Sequence, residues 1–185
     1  IDWYDMQACH RTDVQVHDRS NGRIYKIHYG DSKSSAPSFD LAQATDLQLA
    51  EQVLNPNDWY VRHSRRLLQE RAATRKIDAA ASAKLTDILE HHADDTRRLR
   101  AAWALHVTNQ LTPPLLTAMA RDASPYVRGW SLQLLVQSQP KAVIELQLPA
   151  LTSLAQNDNS PIVRLYLASA ALRLPYEWRW DLLQA

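Results

Sequence analysis

Asp122-Ala-Ser-Pro-Tyr-Val-Arg128, continued by Gly-Trp-Ser-Leu-Gln-Leu-Leu-Val136, reads as a capped turn that runs into an amphipathic helix. The layout returns. Asp158-Asn-Ser-Pro-Ile-Val-Arg164 leads into Leu-Tyr-Leu-Ala-Ser-Ala-Ala-Leu172, and Asp94-Asp-Thr-Arg-Arg-Leu-Arg100 leads into Ala-Ala-Trp-Ala-Leu105. Asn55-Pro-Asn-Asp-Trp-Tyr-Val-Arg62 is a looser copy. The shared pattern is Asp, four residues, Val or Leu, then Arg, and the arginines recur at spacings of 38, 28 and 36 residues. Self-similarity at such a period is the signature of a helical repeat.

Each part of the pattern has a physical reason. Ser124 and Ser160 stand at the N-cap, and Pro125 and Pro161 at the first helical position, where a missing N–H costs nothing. The Asp two residues earlier can accept from free N–H groups in the turn and complements the positive helix end. The Arg lies one turn into the helix, within reach of an Asp in a neighbouring turn, so a ladder of Asp94, Asp122 and Asp158 with Arg62, Arg100, Arg128 and Arg164 is expected along the stack. This arrangement resembles the HEAT repeat over residues 41–185. The resemblance implies a mainly α, right-handed HEAT-like solenoid in which each helix pair stacks on the next. The competing reading is an ordinary helix bundle with similar caps.

Composition agrees with helices. Among 185 residues there are only three glycines, while Ala, Leu and Gln are abundant. A net charge of +1 supplies no global field that would select nucleic acid or membrane. No apolar run approaches the roughly 20 residues of a transmembrane helix. The single cysteine, Cys9, excludes an internal disulfide. With no Met at position 1 and no leader-like stretch, the chain reads as a mature product or a piece of something larger.

Residues 1–30 differ from the rest. Asn21-Gly22 marks a turn, and Arg23-Ile-Tyr-Lys-Ile-His-Tyr29 carries strand-forming residues, with Tyr25, Ile27 and Tyr29 on one face if extended. A short N-terminal β segment is therefore expected over 1–30, with 31–40 as linker. Asp2-Trp-Tyr-Asp5, Cys9-His10, Asp18-Arg19 and Asn21-Gly-Arg-Ile-Tyr-Lys-Ile27 resemble the closing propeller blade of the large membrane-bound dehydrogenases of planctomycete-type bacteria. That family joins a glucose/sorbosone-dehydrogenase-like propeller to HEAT repeats and a cytochrome c module. The resemblance implies a periplasmic or cell-envelope location, with haem c and a quinone or metal in the parent. This chain lacks most of a propeller and contains no Cys-x-x-Cys-His haem site, so no dehydrogenase activity or cofactor is assigned to its residues.

Helices are expected at 45–55, 58–75, 78–92, 95–109, 113–122, 125–138, 141–156 and 161–174, with a ninth starting near Tyr176. Pro149 should kink or split the seventh. Trp103 and Trp130 follow soon after Arg100 and Arg128, which favours packing between repeats over ligand stacking. Trp178 and Trp180 flank Arg179 near the last residues.

Candidate chemistry is sparse. Cys9-His10 are adjacent and point apart on an extended chain, which disfavours a nucleophile–base pair. His91-His92 end a helix, where cations complement the dipole, and a metal would need Asp94 or Asp95 as a third ligand. No Gly-rich phosphate loop and no nucleophile elbow occur. Arg62, Arg65, Arg66, Arg71, Arg75 and Lys76 form a basic run, and Arg97, Arg98 and Arg100 a second. Interspersed Glu70, Asp78, Asp87, Glu90, Asp94 and Asp95 make these read as salt-bridged faces rather than a phosphate track.

The leading expectation is a non-catalytic scaffold that binds a protein partner or neighbouring domains through an inner surface of Arg62, Arg66, Arg98, Arg128 and Arg164. The ladder arginines among them can instead be buried against aspartates. The alternatives are a nucleic-acid-binding HEAT module and an enzyme site at the β–α junction near Asp2, Asp5, Cys9 and His10. A dimer would form through an unpaired strand edge or the last repeat.

Overall fold

A computed structural model describes residues 40–185 together with Ile24, Tyr25 and Ile27. The chain divides into two compact units, 1–39 and 40–185. In the first, Ile24, Tyr25 and Ile27 carry no regular secondary structure. No strand occurs among the described residues, and the remainder of the expected β segment, with Cys9, His10, Asp2 and Asp5, lies outside them.

The second unit contains nine α-helices among the described residues: α1 (Asp46–Glu51), α2 (Asp58–Ala72), α3 (Ala79–His91), α4 (Asp95–Val107), α5 (Pro113–Ala120), α6 (Pro125–Ser138), α7 (Lys141–Asn157), α8 (Pro161–Ala171) and α9 (Tyr176–Gln184). Local sequence explains most boundaries. Thr45 and Gln48 cap α1 reciprocally: Gln48 N–H donates to Thr45 Oγ1 at 3.2 Å, and Thr45 N–H donates to Gln48 Oε1 at 2.9 Å. After α1 the chain tightens into a 3-10 turn over Gln52–Leu54, so the helix expected at 45–55 is two pieces. The helix α2 starts where Asn57 accepts from Trp59 N–H. Asp94 opens α4 by accepting from the N–H groups of Thr96 and Arg97. Asn109 ends that helix in the left-handed region, with φ at 58°, and Gln110 N–H closes back on the Leu105 carbonyl at 2.8 Å.

Ser124 and Ser160 hold the N-cap positions of α6 and α8, but neither side chain caps its own helix. Instead Asp122 and Asp158 accept from the serine N–H groups at 2.8 and 2.9 Å. The Ser124 hydroxyl is thereby released to donate to Asp95 at 2.5 Å in the preceding repeat. Pro149 neither splits nor ends α7. It lies on the exposed side, and so does Glu145, whose carbonyl loses its helical partner and can turn to water.

The helices stack as pairs in two rows. One row is α2, α4, α6 and α8, each packed on the next, and α1 against α3 and α7 against α9 belong to the other. The alternation follows from short connections between antiparallel neighbours. The spacing of 28 between Arg100 and Arg128 now has a cause. The helix α5 has only 8 residues, whereas α3 has 13 and α7 has 17. The core runs between the rows: Leu49, Leu68, Leu85, Leu89, Leu105, Leu132 and Leu174 are fully buried, each stabilising by about 1.5–3 kcal/mol.

The row is tightest where α6 crosses α8. A Cβ added at Gly129 would stand 2.9–3.2 Å from the Tyr166 ring. Helix propensity alone would gain about 1 kcal/mol from replacing this glycine. Overpacking against a ring costs about 1–3 kcal/mol, and more for a large side chain. Gly129→Leu is therefore expected to lower the urea midpoint, with a net loss of about 2 kcal/mol. An unchanged or raised midpoint would mean that α8 can move off α6 at no cost.

Candidate functional site

Three sets of side chains organise the row of second helices: an Asp/Arg ladder, a buried carboxylate at its start, and an aromatic column on its face. The ladder joins successive repeats. Arg98 Nη1 donates to Asp122 Oδ1 at 3.0 Å, and Nη2 donates to Oδ2. Arg128 Nε donates to Asp158 Oδ2 at 2.7 Å and Nη2 to Oδ1 at 3.1 Å. Its Nη1 also holds the carbonyls of Asp122 and Ala123. Both guanidinium forks are bidentate and mostly buried. Hydrogen bonds from Arg128 hold the Asp158 carboxyl below the usual carboxylate range. Burial alone would raise Asp122, but Arg98 and the Ser124 N–H outweigh it and leave that carboxyl lowered as well.

The other ladder candidates sit differently. Arg100 turns back and donates to Asp58 at 2.9 Å, with weaker bonds to the Val53 and Asn55 carbonyls. Arg98 and Arg100 are two residues apart, about 200° around a helix, so only one can face the following repeat. The structure gives that place to Arg98. Asp94 caps α4 and meets no arginine side chain among the described residues within ion-pair distance. Arg62 bonds Asp58 at 2.6 Å within its own helix and stays exposed, as does Arg66 beside Glu70. Arg164 contributes one bond, to the Ala155 carbonyl at 3.4 Å. Of the five arginines expected on the contact surface, Arg98 and Arg128 are therefore turned into the stack, while Arg62 and Arg66 reach solvent.

At the start of the row stands a carboxylate that the repeat pattern does not reveal. Asp46 has no exposed side-chain surface. Its Oδ1 accepts from Arg71 Nη1 at 2.9 Å and Arg75 Nη2 at 2.7 Å; its Oδ2 accepts from Arg75 Nη1 at 2.7 Å and the Asp78 N–H at 3.1 Å. The Arg75 hydrogen bonds, opposed by burial and assisted by Arg71 and the Asp78 N–H, lower the Asp46 pKa to about 2. Thus α1, the end of α2 and the start of α3 close on one carboxylate. The sequence signal was an Asp directly after a capping Thr, which reads as an ordinary first-turn acid.

The aromatic column crosses four helices. The Arg65 guanidinium carbon stands 5.6 Å over the Trp103 ring. Trp103 meets Trp130 edge-to-face at 4.9 Å, and Trp130 meets Tyr166 at 6.0 Å. All four side chains are half-buried, so the column is packed beneath and open above. Trp103 Nε1 is covered and has no acceptor among the described residues. Also on α2, exposed Trp59 stacks near His63 at 4.3 Å. The sequence marks Trp103 and Trp130 as packing residues, and it is their partial exposure that makes the face a candidate surface.

The basic run is broken up by pairing. Arg71 and Arg75 hold Asp46, Arg97 bonds the Asn55 carbonyl, Arg98 and Arg100 hold Asp122 and Asp58, and Arg65 covers Trp103. What remains open is short for a phosphate track. His91 pairs with Asp87 at 3.2 Å, and His92 Nδ1 accepts from the Asp94 N–H. Among the described residues no group of three or more His, Cys, Asp or Glu could hold a metal ion. No described helix is long and apolar enough to cross a membrane. At the far end Lys141 lies 4.9 Å over Trp178, while Trp180 is exposed beside Tyr176.

A family model described as HEAT repeats matches residues 82–173. This stretch is a HEAT-repeat segment. No curated protein matches the chain. The HEAT segment spans α4, α6 and α8, and so includes both bidentate steps of the ladder and the Trp103–Trp130–Tyr166 part of the column. HEAT repeats generally serve as scaffolds for protein interaction.

Proposed function

We propose that residues 40–185 form a non-catalytic scaffold that binds a protein partner across the open face of α2, α4, α6 and α8. The observation that carries this reading is the half-buried column of Arg65, Trp103, Trp130 and Tyr166, with exposed Arg62, Arg66 and Trp59 on the same helix as Arg65. Large aromatic side chains and arginines at the centre of a rigid face are the residues that anchor protein interfaces. Rigidity comes from the ladder beneath, which fixes the helices before a partner arrives and lowers the ordering cost of binding.

The test separates folding from binding. Arg62→Glu with Arg66→Glu removes two exposed helix pairs, each contributing less than about 1 kcal/mol, so the melting temperature should stay nearly constant. The association rate with partners cross-linked to the wild-type chain should fall, and its salt dependence should weaken, as expected for exposed charges at the rim of an interface. An unchanged association rate with every partner would sink the contact role. Duplex DNA that binds at low salt and is lost steeply with added salt would replace this reading by the nucleic-acid one.

A finer reading makes the scaffold the connecting segment between a propeller dehydrogenase and its electron acceptor, in the periplasm or cell envelope. Its support is the sequence resemblance of Asp2 to Ile27. The parent polypeptide should then encode blade-like strands before Ile1 and a Cys-x-x-Cys-His after Ala185. A start codon just before Ile1 and a stop just after Ala185 would remove it.

A further inference from the structure

Most arginines of the row are held by a carboxylate or a carbonyl; among the described residues Arg65 is held by neither. Arg98 and Arg128 grip Asp122 and Asp158, Arg100 grips Asp58, and Arg71 and Arg75 grip Asp46. Arg65 has the Trp103 ring, 5.6 Å from its guanidinium carbon, and is half-buried. Burial pushes its pKa below the usual arginine range; Asp58 opposes this and Arg62 adds to it. Arg62, Arg65 and Arg66 stand three and four residues apart on α2 and so share one side of the helix. The acids within a turn of them, Asp58 and Glu70, are paired with Arg62 and Arg66. Farther along the column the charge vanishes. On α4, His106 lies one turn after Trp103, and burial pushes it toward its neutral form. On α6, exposed Tyr126 precedes Trp130 by one turn, while Gln133 and Gln137 follow it and bond each other at 3.2 Å. On α8, Ser169 lies one turn after Tyr166. The column therefore has an unpaired cation at its α2 end and no charge along these sides of α6 and α8.

Given the scaffold reading of this face, on which the assignment depends, we propose that the column takes a partner-protein segment that is acidic at one end and apolar along the rest. An Asp or Glu carboxylate sits on Arg65, and adjoining apolar side chains cover Trp103, Trp130 and Tyr166. Charge complementarity selects the acid. A half-buried guanidinium without acceptors is left with unmet donors, and a carboxylate fills its fork with two charge-assisted bonds. Contact with Trp103 orders the guanidinium before the partner arrives, which lowers the cost of binding. The same distribution of charge disfavours nucleic acid. A phosphate chain repeats its charge at every nucleotide and needs cations along its path. A short acidic cluster beside apolar residues matches one cationic end and an uncharged run. Arg65 is thereby the residue that sets which partner segment the face accepts.

The probe is a phage-displayed library of random short peptides, selected on the whole 185-residue protein and in parallel on R65Q. Peptides that bind the wild-type chain should be enriched in Asp and Glu beside apolar or aromatic residues, and selection on R65Q should lose the acidic enrichment. The best wild-type peptide, resynthesised with a fluorophore, should bind R65Q at least about ten-fold more weakly. Replacing its acids by Asn or Gln should cost the same factor against the wild-type chain and nothing more against R65Q. R65K should recover part of the affinity, because it keeps the charge without the fork. The peptide replacements leave the protein untouched, so they test the contact even where R65Q loses stability. Selected peptides without acidic enrichment, or with equal enrichment on R65Q, overturn the proposal. If such peptides still cross-link to Trp103, Trp130 or Tyr166, the scaffold reading stands; if no peptide binds, both fall. A single-stranded oligonucleotide that displaces every selected peptide and binds more tightly also overturns it. So does self-association of the chain that R65Q abolishes, since the occupant would then be a second copy.

Discussion

Asp46→Ala should lower the stability of the 40–185 unit by about 2–4 kcal/mol, below the range for a fully buried ionic cluster because Arg71 and Arg75 keep 22% and 47% of their side-chain surface. The loss comes less from the attraction removed than from what is left behind. Arg71 and Arg75 would keep their charges beside an apolar gap, and the Asp78 N–H would lose its acceptor. Against a total of about 5–15 kcal/mol for a domain, this is a large fraction. Urea denaturation followed by far-ultraviolet circular dichroism measures it. A loss under about 1 kcal/mol would show that water reaches the arginines and that the cluster does not join the first three helices.

The same carboxylate sets an acid limit. Its pKa is about 2 in the folded chain against an ordinary 3.8, so the folded state favours the ionised form. That stabilisation is present in full above pH 3.8 or so and is lost as pH falls through about 2; it amounts to roughly 2 kcal/mol. Asp122 and Asp158 shift in the same direction and add to the same limb. The wild-type stability curve should bend downward below about pH 4, and Asp46→Ala should flatten that bend.

Arg128→Ala is the second large effect, with an expected loss of about 2–4 kcal/mol, somewhat below a fully buried pair because the Arg128 side chain keeps 17% of its surface. Arg128 is the side chain that ties α6 to the turn before α8, and it also holds two carbonyls of its own turn. Arg128→Lys should recover less than half, since an ammonium cannot form the bidentate contact and reach both carbonyls. A double-mutant cycle with Asp158→Ala should give a coupling above about 1 kcal/mol. Arg62→Ala supplies the contrast. It has the same repeat position in sequence but an exposed partner, and should change stability by under about 0.5 kcal/mol.

That contrast shows where reading the sequence succeeds and where it stops. Several helix starts were legible because the residues that create them are local: the Asp94 turn before α4, and the prolines at 125 and 161. The end of α4 was legible to within two residues, although the αL role of Asn109 needed the backbone angle. The choice of Arg98 over Arg100 was not legible, because Arg100 alone fits the pattern of Asp, four residues, Leu, then Arg, whereas Arg98 takes the place of Arg128 only when both are counted from the residue that opens the helix, Asp94 and Ser124. Nor was Ser124, whose cap position is local but whose hydroxyl bonds the previous repeat.

By itself, then, the sequence determined that this chain is a stack of helix pairs, where most of its helices begin, and that Asp and Arg would meet between repeats. These follow from spacing, caps and apolar periodicity, which act within one or two turns. Only the tertiary structure decided which arginine meets which carboxylate, that Asp46 gathers Arg71, Arg75 and the Asp78 N–H, and that Arg65, Trp103, Trp130 and Tyr166 share one open face. Those groups are brought together from distant positions by the rotation and offset of whole helices. That packing is settled by burial across the two rows, and no local signal records it.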